Sequence, residues 1–245
     1  MKILIIRHAD PDYSIDSLTP VGWKEAELLS EYLSRMKISA FYVSPLGRAK
    51  DTASVTLRKI GQKATECSWL REFPPRIRRP DLTDPEACSC AWDWLPTDWT
   101  KEPCYYDNNK WYTTDVMQAA NAGEMYHKVT AGLDELLAEH GYVRENGYYR
   151  AVQANRDTIA LFCHFGLECV LLSHLLGISP MPLWHGMCAA PSSVTTLVTE
   201  ERREGIAYFR MGSFGATSHL YVAGKEPSFA ARFCETYDNP NERHD

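Results

Sequence analysis

Short apolar segments that alternate with helical segments are the feature that most restricts the fold of this chain. The segments Lys2–Ile6, "AFYVS" and "DTIALFC" have the length and composition of buried strands. Between them, "TPVGWKEAELLSEYLSRMK", "GRAKDTASVTLRKIG" and "EMYHKVTAGLDELLAEHG" carry apolar residues at helical spacing. Such alternation predicts an α/β fold of three layers, in which a mostly parallel central sheet has helices on both faces.

Local signals indicate where several of these elements begin and end. Thr19 is a candidate N-cap, and Pro20 suits the first position of the helix that follows it. Gly61 is a candidate C-cap for the second helix. The segment "YVRENGYYRAV" predicts a hairpin that turns at Asn146-Gly147. "KATECSWL" is a further strand candidate, and "SSVTTLVTEE" and "GIAYFRMGS" are predicted as the last two strands.

The periodic pattern stops between Glu72 and Gly123. That stretch holds six prolines, four tryptophans and three cysteines. A long segment without periodicity is usually functional or disordered, and this density of aromatic residues argues against disorder. We therefore expect one domain over residues 1–245, with an ordered, tryptophan-rich insertion at about 73–123. Because it follows Glu72 directly, the insertion is expected to act as a lid; a small satellite core or a self-association surface is the alternative.

Composition limits the partners and the compartment of the chain. With 245 residues and a net charge of −6, it is not expected to bind nucleic acid through bulk charge. No apolar run approaches the roughly 18 residues of a membrane span, so the expected compartment is the cytoplasm. Eight cysteines occur without a C-x-x-C pair or zinc spacing, which predicts reduced thiols and no metal site. The oligomeric state stays open.

Basic and histidine side chains follow three of the predicted strands. Arg7 and His8 end the first strand, Arg48 lies in the first turn after the second, and His164 follows "DTIALFC". Ligands of open α/β sheets bind beyond the carboxyl ends of the strands. Two arginines and two histidines at one edge, without a matching acid, would repel each other unless an anion binds there. A phosphoryl group fits best, because guanidinium groups match its oxygens and imidazole can attack phosphorus.

The same residues carry a resemblance to a known family. The chain has "RHA" where the histidine phosphatase superfamily carries R-H-G, "LTPVGWKEA" for L-[TS]-x-x-G-x-x-Q-A, and "SPLGRAKDTA" for S-P-L-x-R-A-x-x-T-A. Leu70-Arg71-Glu72 matches L-x-E, and "CHFG" matches a late H-G turn. The matches cover residues 1–72 and roughly 125–215 in the family order. The chain resembles the branch that includes cofactor-dependent phosphoglycerate mutase.

The resemblance implies a role for each residue. His8 would be the nucleophile that forms a phosphohistidine, while Arg7, Arg48 and His164 would bind the phosphoryl oxygens. Glu72 would be the general acid that protonates the leaving oxygen, a step that a poor alkoxide leaving group requires. The expected substrate is a small phosphorylated compound, and inorganic phosphate would bind at the same place. No cofactor or metal is expected, because the arginines supply the charge that Mg²⁺ supplies elsewhere.

The chain departs from the family pattern at four positions. Ala9 replaces a glycine, Pro11 replaces a serine or threonine, Ser14 replaces an asparagine that contacts phosphate in the mutases, and Phe165 follows the second histidine. These changes favour a phosphatase that works through a phosphohistidine. A phosphoglycerate mutase-type phosphotransferase is one alternative. A catalytically weak anion-binding or protein-interaction module, which would use the tryptophan-rich insertion, is another.

Overall fold

The computed structural model describes residues 1–84, 87–228 and 236–241. The strands are β1 Lys2–Arg7, β2 Pro11–Asp12, β3 Ser17–Leu18, β4 Ala40–Val43, β5 Thr65–Glu66, β6 Arg76–Ile77, β7 Ser89–Cys90, β8 Tyr142–Glu145, β9 Tyr148–Ala151, β10 Thr158–Cys163, β11 Val194–Arg203 and β12 Ile206–Ala216. The α-helices are α1 Pro20–Leu33, α2 Gly47–Ile60, α3 Pro96–Trp99, α4 Asp115–Ala119, α5 Ala122–Glu139, α6 Phe165–Leu176, α7 Pro180–Gly186 and α8 Ser218–Val222.

Eight strands form the central sheet, in the order β5-β4-β10-β1-β11-β12-β9-β8. The α/β class is confirmed, but the sheet is mixed. The pairs from β5 to β1 are parallel, whereas every pair from β1 to β8 is antiparallel. The expectation of a mostly parallel sheet therefore holds only for one half. The hairpins β8–β9 and β11–β12 explain the other half, because strands joined by a tight turn must run in opposite directions.

The predicted signals for element ends agree with the structure. The hydroxyl of Thr19 accepts a hydrogen bond from Gly22 N–H at 3.0 Å, and Pro20 opens α1. Gly61 ends α2 with a φ of 65°. Asn146 takes a φ of 56° at the β8–β9 turn. One strand is much shorter than expected: in "KATECSWL", only Thr65–Glu66 pairs with the sheet, and a 3₁₀ turn at Ser68–Leu70 follows.

Alternation along β1 divides the core between the two faces of the sheet. Leu4 and Ile6 join the apolar cluster that includes Leu29 of α1 and Ala53 of α2. The remaining apolar residues of β1, at positions 3 and 5, join the larger cluster on the opposite face, which includes residues of α5 and α6. Side chains of a strand alternate between faces, so β1 is buried on both sides. This confirms the arrangement of helices on both faces of the sheet.

The tryptophan-rich insertion packs into the larger of these clusters. Trp94, Trp99 and Trp111 are buried there, and the ring of Trp111 lies 5.3 Å from that of Trp184 on α7. The backbone N–H of Trp94 donates to Nε2 of His185, at 3.2 Å. The described residues of the insertion thus share the main core. Among the described residues, no helix is long and apolar enough to cross a membrane.

Candidate active site

The parallel half of the sheet brings the predicted residues to one edge. In the register of β1 and β10, Arg7 lies opposite Cys163, so the chain leaves both strands at the same level. The backbone N–H of His8 donates to Cys163 O at 3.0 Å, and the rings of His8 and His164 lie 5.1 Å apart. Strand β4 pairs with β10 on the other side and leads into α2, which carries Arg48. All four predicted residues therefore surround one point.

Residues of the segments "LTPVGWKEA" and "SPLGRAKDTA" hold the loop that follows His8 in place. Ala9 N–H donates to the hydroxyl of Thr52 at 2.9 Å, and Asp10 N–H donates to Glu25 at 2.8 Å. A side chain at Gly22 would place its Cβ 2.2 Å from Asp10 O, so only glycine lets α1 approach this loop. Ala9 has a negative φ, which is why alanine fits where the family carries glycine.

His8 is arranged as a neutral imidazole with one free nitrogen. Its side chain is 1% exposed, and Nδ1 lies 2.8 Å from Ala9 O. Because a carbonyl only accepts, Nδ1 carries the proton and donates it to that oxygen. Burial lowers the pKa of His8 well below its usual value, and the charge of Arg7 lowers it further. Nε2 thus keeps its lone pair, and it has no hydrogen-bond partner among the described residues.

His164 faces His8 from the N-cap position of α6. Its Nε2 lies 2.7 Å from Ser44 Oγ, and Leu46 N–H donates to the same oxygen. With the Ser44 hydroxyl donating to Nε2, the neutral ring carries its proton on Nδ1. Burial lowers the pKa of His164 well below its usual value, and the nearby His8 and Arg48 lower it further. The other ring nitrogen, Nδ1, is buried without a hydrogen-bond partner among the described residues. A buried polar atom of this kind normally needs a partner, which a ligand oxygen would supply.

The guanidinium group of each of the two arginines makes a hydrogen bond through Nη1. Nη1 of Arg7 donates to Ala189 O at 2.5 Å, and Nη1 of Arg48 donates to Oδ1 of Asp16 at 2.6 Å. Both Nε atoms are buried without a partner in the part of the chain that the structure describes. The remaining edges of the two guanidinium groups are thus available to an anion.

Asp16 corrects the expectation that the cluster has no matching acid. Its Oδ1 pairs with Arg48, and its Oδ2 accepts a hydrogen bond from Gly47 N–H at 2.7 Å. The contact is close, since a Cβ at Gly47 would lie 2.0 Å from Asp16 O. Sequence reasoning missed Asp16 because it lies 32 positions before Arg48, in the turn before β3. Its available signal was the aspartate of "SIDS" in a predicted turn.

Glu72 lies beside the first turn of α6 and is fixed through one oxygen. Oε1 accepts hydrogen bonds from the backbone N–H groups of Phe73 and Leu167, both at 2.9 Å. Oε2 has no hydrogen-bond partner among the described residues. Burial raises the pKa of Glu72, although the two N–H donors and the charges of Arg7 and Arg48 oppose this. The carboxyl group therefore holds a proton more strongly than an exposed glutamate does, on the oxygen that is free to transfer it.

A second buried acid was not predicted. Glu168, in the first turn of α6, is 1% exposed, and burial raises its pKa to about 7. Its charge interacts with those of Arg7 and Glu72. The available signal was an isolated acid in the otherwise apolar segment "LECVLL". Within the described ranges, no group of three histidine, cysteine or acidic side chains is arranged to hold a metal ion.

Ser14 lies apart from this arrangement. The position corresponds to the asparagine that contacts phosphate in the mutases, but Ser14 is exposed. Its N–H and its hydroxyl both donate to Oδ1 of Asp12, at 3.0 Å and 2.6 Å. The side chain is thus used in a local turn.

Trp92, in the insertion, lies near Glu72. A Cβ built at Gly166 would lie 2.5 Å from Nε1 of Trp92 and 2.8 Å from Oε1 of Glu72. The indole nitrogen and the carboxylate oxygen therefore pack against the same glycine, two positions after His164. Nε1 is buried without a partner in the described part of the chain. Sequence reasoning located the insertion near Glu72 but identified none of its tryptophans as a neighbour of the acid.

Comparisons with solved structures agree with this architecture. A phosphoserine phosphatase mutant from Entamoeba histolytica, in complex with phosphoserine, superposes with a TM-score of 0.56 at 18% identity, covering 89% of this chain and 98% of that one. A mycobacterial glucosyl-3-phosphoglycerate phosphatase superposes with a TM-score of 0.57 at 17% identity, covering 88% and 98%. At these identities the likeness concerns the fold.

Sequence comparison identifies the family. "Serine/threonine-protein phosphatase Pgam5, mitochondrial" from Caenorhabditis elegans is 34% identical over 86 residues, which is 33% of this chain. The chain spans only 30% of the length of that curated relative. The sequence model of the histidine phosphatase superfamily (branch 1), in contrast, matches residues 3–210. Together with the motifs and the fold, this match means that the chain belongs to the histidine phosphatase superfamily, branch 1.

Proposed function

We propose that this protein is a phosphatase that hydrolyses a phosphomonoester through a phosphohistidine on His8. The observation that carries the proposal is that four groups meet at one place. They are the neutral imidazole of His8, the Nε atoms of Arg7 and Arg48, and Nδ1 of His164, of which the last three have no hydrogen-bond partner among the described residues. A nucleophile needs a lone pair, and a phosphoryl group needs donors for its oxygens. The phosphatase names of the structural and sequence relatives support the same activity.

In the first step, Nε2 of His8 attacks phosphorus, and the P–N bond forms as the P–O bond to the leaving group breaks. The electron pair of that bond goes to the leaving oxygen, which takes the proton from Oε2 of Glu72. The raised pKa of Glu72 keeps this proton available. Nδ1–H of His8 stays hydrogen-bonded to Ala9 O and orients the ring as positive charge develops on it.

In the second step, water attacks the phosphohistidine in line with the P–N bond. Glu72, now a carboxylate, accepts a proton from the water, and the P–N electron pair returns to Nε2 of His8. Inorganic phosphate leaves, and both residues regain their initial protonation states. One acid therefore serves both halves of the reaction, which suits a carboxyl group with one fixed and one free oxygen.

Charge at the transferred phosphoryl group is balanced by Arg7 and Arg48, with His164 as a neutral donor. Nε of both arginines and Nδ1 of His164 are buried, where a hydrogen bond to an anion is stronger than in water. We propose on this basis that catalysis needs neither a metal ion nor an organic cofactor. Full activity in the presence of excess chelator is the corresponding measurement.

The insertion at about 73–123 covers the site in this proposal, with Trp92 as its contact to the acid. The substrate is a small phosphorylated compound, and inorganic phosphate binds in the same place as product. Ser14 gives no support to the mutase alternative, because its hydroxyl is used by Asp12. A cytoplasmic location remains a prediction from the sequence, and imaging of the tagged full-length protein tests it.

The test is a panel of phosphomonoesters assayed with chelator, combined with trapping of the phosphoenzyme. We expect inorganic phosphate release and, after a rapid alkaline quench, a phosphoprotein that loses its label in acid. Phosphate release without such an intermediate would contradict the mechanism. If the folded protein neither releases phosphate nor becomes labelled with any ester of the panel, the alternative of an anion-binding or interaction module is favoured.

A further inference from the structure

An aromatic wall lies on the side of the site where the leaving group must sit. We define this wall as Trp92 of the insertion and Phe165 at the start of α6. Their rings meet edge to face, with centroids 6.2 Å apart and planes at 87°. Both residues are only partly buried, and both pack against the larger core cluster.

The wall lies beside the phosphoryl-binding residues. The guanidinium carbon of Arg7 is 5.8 Å from the centroid of the Phe165 ring. Phe165 also directly follows His164, at a position where the family usually carries glycine. The Phe165 ring therefore adds an apolar surface to the site next to Arg7. A glycine at this position would leave the backbone without a side chain there.

Trp92 connects the wall to the general acid, Glu72. Its Nε1 is buried against Gly166, beside Oε1 of Glu72. Because Nε1 is buried while the residue as a whole is only partly buried, the atoms of Trp92 that a ligand can contact lie elsewhere on the residue. The general acid must contact the leaving oxygen, and Trp92 packs beside Oε1 of that acid, so the group attached to that oxygen lies near the indole.

We propose that the preferred substrate is a phosphomonoester whose leaving group carries an aromatic ring, which packs on the wall formed by Trp92 and Phe165. The inference rests on the proposed phosphatase function and adds the chemical class of the substrate to it. Aromatic rings prefer edge-to-face or offset contacts with other aromatic rings, beyond the gain from buried area. Trp92 lies beside Glu72 and Phe165 lies beside Arg7, so the group that contacts the wall is the leaving group of the substrate.

Two esters with matched leaving oxygens separate ring recognition from chemistry. Benzyl phosphate and cyclohexylmethyl phosphate both release a primary alkoxide and have similar size, but only the first has an aromatic ring. We expect kcat/KM of the wild type to be about threefold to tenfold higher for benzyl phosphate, the range of an aromatic pair. Trp92→Leu should reduce this ratio to near one, whereas Trp92→Phe should retain most of it.

Tyr106→Leu is the matched control, since Tyr106 is an exposed aromatic residue of the same insertion and lies outside the wall. It should leave the ratio unchanged. If Trp92→Leu does not fold, Phe165→Leu tests the same contact. A wild-type ratio near one, or a ratio that survives loss of either ring, would overturn the aromatic preference. If phosphohistidine still forms from both esters, only this inference fails; if it forms from neither, the proposed function fails with it.

Discussion

Oε1 of Glu72 accepts a hydrogen bond from the backbone N–H of Leu167, 95 positions later in the chain. Leu167 belongs to the first turn of α6, directly after His164. The acid is thereby tied to the helix that positions the second histidine. Oε1 is occupied by two backbone donors, which leaves Oε2 for the proton transfer that we propose.

Replacing Glu72 by glutamine should affect substrates according to their leaving group. The amide keeps an oxygen for Phe73 N–H and Leu167 N–H but has no proton to give. An alkyl phosphate, which leaves as a basic alkoxide, should lose much of its rate, whereas nitrophenyl phosphate should be far less affected. The measurement is the pre-steady-state burst, which isolates the first transfer. Equal bursts for mutant and wild type on the alkyl ester would mean that another group is the acid.

His8→Ala should abolish turnover and remove the acid-labile phosphoenzyme. The alanine keeps the strand end and loses only the attacking Nε2 and the hydrogen bond to Ala9 O. We expect a Tm close to that of the wild type, because the backbone N–H of His8 still donates to Cys163 O. Rapid-quench labelling and a thermal melt measure the two effects. Wild-type phosphate release by the variant would exclude His8 as the nucleophile.

Arg48→Lys should lower kcat/KM by about 100-fold, or ~3 kcal/mol, the size of one lost donor to a transition-state anion. Lysine keeps the charge and can still approach Asp16, but it lacks the planar fork that bonds two oxygens at once. Arg58→Lys on the exposed face of the same helix is the control and should change little. A loss below tenfold, ~1.4 kcal/mol, would show that Arg48 does not hold the phosphoryl group.

Gly166→Ala tests how closely the insertion and the acid are packed. The new methyl group would lie 2.5 Å from Nε1 of Trp92 and 2.8 Å from Oε1 of Glu72, so one of the two must move. Displacement of an acid by about 1 Å can cost about 100-fold in rate, and we expect a loss of that order in kcat/KM. Gly186→Ala is the matched control, because no atom lies within 4 Å of the added methyl. Wild-type activity of Gly166→Ala would argue against a fixed acid.

The stability that Glu25 contributes should fall as pH rises from about 4.5 to 7, while the lowered pKa values of His8 and His164 act in the opposite direction. Burial raises the pKa of Glu25 to about 7 in the folded protein, so folding retains a proton that the unfolded chain releases in this window. For a shift of this size the loss is about 3 kcal/mol at pH 8 relative to pH 4.5. Glu168, with a pKa also of about 7, adds to the same trend.

Urea unfolding at pH 5 and pH 8 measures this effect. We expect the free energy of unfolding of Glu25→Gln, relative to that of the wild type, to be higher at pH 8 than at pH 5, because the variant has no carboxyl group that must ionise in the folded state. The variant Glu27→Gln, at an exposed position of the same helix, should behave as the wild type does. A difference between Glu25→Gln and the wild type that is the same at pH 5 and pH 8 would contradict the raised pKa of Glu25.

The main helices and strands, and the residues that follow the parallel strands, could be predicted from local sequence patterns. Thr19, Gly61 and Asn146 act on their own neighbours, so their effect can be recognised locally. The position of His8 and His164 also follows from the sequence, because parallel strands that pair in a sheet present their carboxyl ends at the same edge.

The contacts that join distant segments could not be predicted from the sequence. The pairing of Asp16 with Arg48, the hydrogen bond from Leu167 to Glu72 and the approach of Trp92 to Gly166 depend on loops whose paths no local pattern encodes. The antiparallel half of the sheet likewise depends on which strands become neighbours. Such contacts are selected by the packing of the whole core, since each of them becomes favourable only when the remaining elements are in place.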